Sequence, residues 1–149
     1  MNRQDARNAR KNMERDQNPR IEPGEGIDEW VRRILAAAVE VHKHLGTGYL
    51  ESVYEEALAI ELALQKIPFV RQIPVPVQYK DHLVGQGRLD FLVNDELVVE
   101  LKAVEALLPI HKAQVLSYLK ATRRRLGLLI NFNMPVLMRG VQRVIFSNE

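Results

Sequence analysis

The spacing of apolar residues changes period along this chain, and the changes mark its elements. Between Asp28 and Gly46, the residues Val31, Ile34, Leu35, Ala38 and Leu45 recur at helical spacing, with Asp28 placed to cap the start and Gly46 to stop the helix. Thr47-Gly48 then turns into a second helical pattern, from about Leu50 to Gln65. From Pro68 the period shortens: Phe69, Ile73, Val75, Val77 and Tyr79 fit an extended segment, and Pro74 and Pro76 confine it to an edge or irregular strand. Lys80-Asp81-His82 reads as a turn that leads through Gly85 and Gly87 into a pair of apolar runs separated by the polar Asn94-Asp95-Glu96. A third helix is predicted from Pro109, a favoured first-turn residue, to Arg125. Gly127 to Phe132 reads as a buried strand and Val141 to Phe146 as a last short one. The order helix, helix, three strands, helix, strand, strand predicts an α/β domain, a mixed β-sheet flanked by helices, over residues 27–149. Residues 1–26 are polar, contain few apolar side chains and end in Pro23-Gly24-Glu25-Gly26, which reads as a flexible tail without a core.

The runs on either side of Asn94-Asp95-Glu96 carry Asp90, Glu100 and Lys102, three charges where a strand should be apolar. Side chains alternate along a strand, so Val98, Glu100 and Lys102 share one face and Leu97, Val99 and Leu101 the other. A three-residue loop pairs Val93 with Leu97, and counting back sets Asp90 opposite Glu100 on one face. A two-residue loop would send the two carboxylates to opposite faces. In the first register two like charges oppose each other and need compensation, for which a divalent cation is suited, since hard cations prefer carboxylate oxygens. The alternative is a solvated sheet face on which these charges do nothing beyond meeting water.

Other polar side chains fall in apolar company. On the second helix, Glu51 falls between Leu58 and Leu62, and Glu61 lies near Tyr54 and Leu50, whereas Glu56 faces away with Ser52. A carboxylate beside apolar surface needs a partner, a metal or a raised pKa, which makes Glu51 and Glu61 candidates; pairing of Glu61 with an arginine such as Arg71 is the structural alternative. On the third helix, Gln114 and Tyr118 are four apart and share a face, where they can bind a substrate or simply pack. His111 could flank that face, while His42, His44 and His82 read as surface or turn residues.

Composition narrows the chemistry. The 149 residues contain no cysteine, which excludes a disulfide framework, a thiolate zinc site and a cysteine nucleophile, and is compatible with a cytoplasmic location. The start is too polar for a signal peptide, and no apolar run approaches the roughly 20 residues that span a bilayer, so no membrane association is expected. A net charge of +2 gives no strong field for nucleic acid. The densest basic cluster is Lys120 with Arg123-Arg124-Arg125, which also suits a solvated helix end. There is no Gly-rich phosphate loop after a strand and no Gly-x-Ser-x-Gly elbow.

Asp90, then Glu100-Leu101-Lys102 on the next strand, preceded by a helical Glu51, resemble the PD-(D/E)xK nuclease superfamily. The closer resemblance is to its GxxExxY branch. Gly48-Tyr-Leu-Glu51-Ser-Val-Tyr54 reads as that signature, and the segments Glu51 to Leu58, Val99 to Val104, Ala113 to Lys120 and Gly127 to Phe132 also look like segments of that family. Gln114-x-x-x-Tyr118 is similar to a motif of RecB-like nucleases, and the resemblance covers about Ile27 to Phe146. It implies a restriction-endonuclease-like core and metal-dependent hydrolysis of phosphodiester bonds in nucleic acid, DNA before RNA. It further implies Mg²⁺ or Mn²⁺ held by Asp90, Glu100, the Leu101 carbonyl and, through water or a second cation, Glu51. Lys102 would orient or deprotonate the attacking water, and Gln114 and Tyr118 would position the phosphate or the lysine. Superfamily nucleases often act as homodimers. The competing expectation is a non-catalytic nucleic-acid-binding or assembly module that keeps the fold.

Overall fold

The computed structural model describes residues 26–147, so the polar tail expected at residues 1–26 lies outside the described residues except for Gly26. Helices α1 (Ile27–Leu45) and α2 (Glu51–Leu64) are followed by strands β1 (Phe69–Tyr79), β2 (His82–Val93) and β3 (Leu97–Lys102). Helix α3 (Pro109–Thr122), strand β4 (Leu126–Asn131), a 3₁₀ turn (Leu137–Gly140) and strand β5 (Val141–Ile145) complete the order. The sheet runs β1-β2-β3-β4-β5. Its pairs are antiparallel except β3 with β4, which are parallel and joined through α3. The expected mixed sheet flanked by helices is what forms. Among the described residues no helix is long and apolar enough to cross a membrane.

Two apolar layers hold the sheet between helices. On one face α1 and α2 supply Ile34, Ala38, Val41, Tyr54, Leu58 and Leu62 against Phe91, Val93, Val99, Leu101, Leu128 and Ile130. On the other, α3 supplies Val115, Tyr118 and Leu119 against Leu89, Leu92, Val98, Leu129 and Val144. Gly127 lets α3 approach β4 closely, since a Cβ there would lie 2.9 Å from Val115 Cγ1. The proline-bearing β1 is an edge strand, as its missing donors require.

Several boundaries differ from the sequence reading. Asp28 is not the N-cap of α1: the helix begins at Ile27, Gly26 occupies the cap position without a side-chain bond, and Asp28 sits in the first turn. There it pairs with Arg143 of β5. Helix α3 ends at Thr122 rather than Arg125, because Arg123 takes a left-handed conformation (φ 60°) and its N–H turns back to the Leu119 and Lys120 carbonyls. His82 is the first residue of β2; the left-handed turn is made by Lys80 and Asp81 alone.

Candidate active site

The loop after β2 has three residues, and the strands pair Val93 with Leu97, Leu92 with Val98 and Phe91 with Val99. That register sets Asp90 across from Glu100, and the backbone ladder stops there. Side chains replace it: the Leu101 N–H donates to Asp90 Oδ2 at 2.8 Å, and the Asp90 N–H donates to Glu100 Oε2 at 3.2 Å. The strands part, and the two carboxyl groups satisfy the donors that the parting exposes. The Lys102 carbonyl accepts from Phe132 N–H at 2.8 Å on the β4 side. Alternation along β3 therefore turns the Leu101 carbonyl, like its N–H, toward Asp90.

Glu100 is 4% exposed. Burial pushes its carboxyl up to about 9, the Asp90 charge and a hydrogen bond from the pair raise it further within that total, and Lys102 opposes. Glu100 therefore keeps its proton at neutral pH beside the Asp90 side chain. A cation of charge two can take that proton's place with oxygen donors already assembled, so the residues fit a hard divalent metal. Among the described residues no three acidic or histidine side chains converge as one ligand group. The donor set that does fit is two carboxylates with the Leu101 carbonyl, completed by water.

Glu51 is the first residue of α2, half-buried at the helix N-terminus. Burial raises its carboxyl above the ordinary range and the Asp90 charge adds to this, while Lys102 lowers it, so all three belong to one electrostatic cluster. The signature around Glu51 has a mechanical basis. Gly48 adopts φ 104°, which a side chain would strain, and Tyr54, fully buried and stacked on Phe132 at 4.7 Å, donates its hydroxyl to the Gly46 carbonyl at 2.6 Å. The same hydroxyl accepts from Tyr49 N–H at 3.3 Å. The loop that delivers Glu51 is thus latched to the core.

Of the α3 pair, only Tyr118 reaches the neighbourhood of the site. Its hydroxyl accepts from Arg88 N–H at 3.3 Å, two residues before Asp90, and its ring lies where a Gly87 Cβ would be 2.7 Å from Cε1. Gln114 is exposed on α3. Glu61 is not part of the cluster, nor does it pair with Arg71; it accepts from Gln65 at 2.7 Å, and Arg71 goes to Glu55 and Glu56. His111 caps α3 by accepting from Leu108 N–H at 2.9 Å, and His42, far from a free surface residue, meets the Met134 carbonyl at 2.8 Å. The sequence reading missed Asn131, which is 1% exposed. Its side chain accepts from Val104 N–H (3.0 Å) and Asn133 N–H (3.2 Å) and donates to the Val104 carbonyl (2.9 Å), fixing the segment that leaves Lys102. A polar residue at the end of an all-apolar strand is the signal that could have found it. Glu55 was also missed, although it lies one helical turn after Glu51.

No curated protein shows a significant match to the chain. A sequence profile described as the PD-(D/E)XK nuclease superfamily matches residues 28–144, which covers both helices before the sheet, the carboxylate hairpin, α3 and nearly all of β5. The paired strand carboxylates with a lysine two residues on thus sit within the matched span, and the chain belongs to the PD-(D/E)XK nuclease superfamily.

Proposed function

We propose that this protein is a divalent-metal-dependent nuclease of the GxxExxY branch that hydrolyses phosphodiester bonds of nucleic acid, DNA in preference to RNA. The observation that carries the reading is the Asp90–Glu100 pair, a half-buried and a buried carboxyl group brought together where the backbone ladder opens beside the Leu101 carbonyl. Asp90, Glu100 and the Leu101 carbonyl would hold Mg²⁺ or Mn²⁺, which supplies positive charge for the phosphate oxygens and makes a nearby water more acidic. Lys102, at the end of β3 and close enough to act on both Glu51 and Glu100, would take or steer the proton of the attacking water. Glu51, with its raised proton affinity, would orient water at the edge of the site. Tyr118 would hold β2 in place and, with Gln114 at the exposed end, position the phosphate.

The test incubates purified protein with linear, circular, single-stranded and structured nucleic acids in Mg²⁺ or Mn²⁺, beside Asp90→Ala and Lys102→Ala. Cleavage by the wild type alone supports the reading. Cleavage that persists unchanged in both variants contradicts it, and nucleic-acid binding without divalent-metal binding favours a non-catalytic module.

A further inference from the structure

Strand β1 departs from regular geometry beside Asp90. Arg71 pairs with Phe91 and Ile73 with Leu89, so Gln72 falls opposite Asp90, at a step the ladder skips. Gln72 adopts φ 53°, a left-handed conformation that is unusual for a non-glycine residue inside a strand. Across it, β2 turns over: Phe91 packs on the α1/α2 side and Leu89, two residues earlier, on the α3 side, where a regular strand would keep both on one face.

Burial does not force this conformation, because Gln72 is exposed. Its amide instead spans two elements. Nε2 donates to Glu55 Oε1 at 3.0 Å and Oε2 at 2.9 Å on α2, and reaches Asp90 Oδ1 at 3.5 Å on β2. Glu55 is held in turn by Arg71, which lies 3.4 Å from it and 2.9 Å from Glu56. Asp90 Oδ2 already accepts from the Leu101 N–H, which leaves Oδ1 the freer oxygen for a cation, and the Gln72 amide borders Oδ1.

We infer that Gln72 is a positioning residue that orients Asp90 through Oδ1, with Glu55 and Arg71 as its anchor. The inference rests on the metal-site reading above. A glutamine so placed fixes the carboxylate rotamer without adding charge, and partners of this kind commonly change metal affinity 10- to 100-fold. The strained backbone is what brings the amide to Asp90; a glycine would take the same φ at no cost but lack the amide.

Mn²⁺ binding is measured by electron paramagnetic resonance for wild type, Gln72→Gly, Glu55→Gln and the double variant, with thermal melting of each in EDTA. Gln72→Gly should melt no lower than wild type and bind Mn²⁺ about tenfold more weakly. Glu55→Gln should also weaken binding, partly by loss of charge, and the loss in the double variant should be smaller than the product of the single losses, since Glu55 acts in part through Gln72. A Gln72→Gly protein that binds within about twofold of wild type, or that melts well below it, overturns the inference while the metal site stands. A double variant whose losses simply multiply overturns the anchoring role of Glu55. A wild type that takes up no Mn²⁺ overturns the metal site and this inference together.

Discussion

Replacing Glu100 with glutamine should stabilise the protein in the absence of divalent metal while abolishing metal binding. The folded protein holds the Glu100 proton up to about pH 9, whereas the unfolded chain releases it near the ordinary carboxyl value of 4.5. Between those values the unfolded state binds fewer protons than the folded one, so stability falls as pH rises, by about 1.4 kcal/mol per pH unit from this group. Its contribution is fully present below pH 4.5 and is lost on the way to pH 9. At pH 7 the loss amounts to roughly 2.5 units' worth, about 3 kcal/mol, and this figure does not depend on how far above 7 the folded value lies. Glutamine is the isostere of the protonated acid: its oxygen can accept from Asp90 N–H as Glu100 Oε2 does, and its amide can donate to the Asp90 carboxylate in the proton's place. It has no proton to lose, so the loss disappears. Urea denaturation of wild type and Glu100→Gln in EDTA from pH 5 to 8.5 should give curves that start together and diverge, the variant ahead by about 3 kcal/mol at pH 7. Glu100 is not among the groups that shift Glu51, so the difference between the two proteins should isolate Glu100. Mn²⁺ at one thousand times Kd should reverse the order, adding about 4.1 kcal/mol to the wild type and nothing to the variant. A variant less stable than wild type at pH 7 in EDTA, or a difference that is flat with pH, would refute the account of a protonated Glu100.

Three further substitutions probe the frame around the pair. Tyr54→Phe keeps the stacked ring but removes the bonds to the Gly46 carbonyl and from Tyr49 N–H; it should cost about 1–2 kcal/mol and speed hydrogen exchange in residues 46–50. Asn131→Ala leaves Val104 N–H and C=O and Asn133 N–H without their partner and should cost about 2–4 kcal/mol in urea denaturation; a cost below about 1 kcal/mol would mean that water replaces the amide. Gly87→Ala drives a methyl to 2.7 Å from Tyr118 Cε1 and should cost about 1–3 kcal/mol, most of which should vanish in a Tyr118→Leu background; additive costs in the double variant would show that the ring is not what the glycine makes room for.

What could be read from the sequence divides by the range of the forces involved. The order of elements, the edge position of β1 and the facing of Asp90 and Glu100 follow from local rules: period, proline and the parity of a loop between two strands. The loop length was the one open quantity, and three residues rather than two decided the site. What the sequence concealed depends on contacts between segments far apart in the chain. Arg71 could have chosen Glu61; it goes to Glu55 and Glu56 because β1 lies beside that turn of α2. Asp28 could cap α1, yet Arg143, 115 residues on, lies within 3.4 Å of it in the first turn. Nothing in the residue type of Gln72 announces a left-handed strand residue, since glutamine at that place is ordinary in composition and unusual only in backbone. Nor does Asn131 declare which segment it fastens until β3 and β4 are paired. Of these, Gln72 with Arg71 and Glu55 borders the carboxylate pair, and Asn131 fastens the segment that leaves Lys102. A regular sheet would pair Asp90 and Glu100 as repelling neighbours across an intact ladder, so bringing them together as a site requires the strands to part. The backbone donors freed by the parting, Asp90 N–H and Leu101 N–H, are met by the two carboxyl groups themselves, and Asp90 is bordered in turn by Gln72, which only the fold brings near. The pair is legible because it breaks a local rule, and the residues around it are not, because they reach it only through contacts between distant segments.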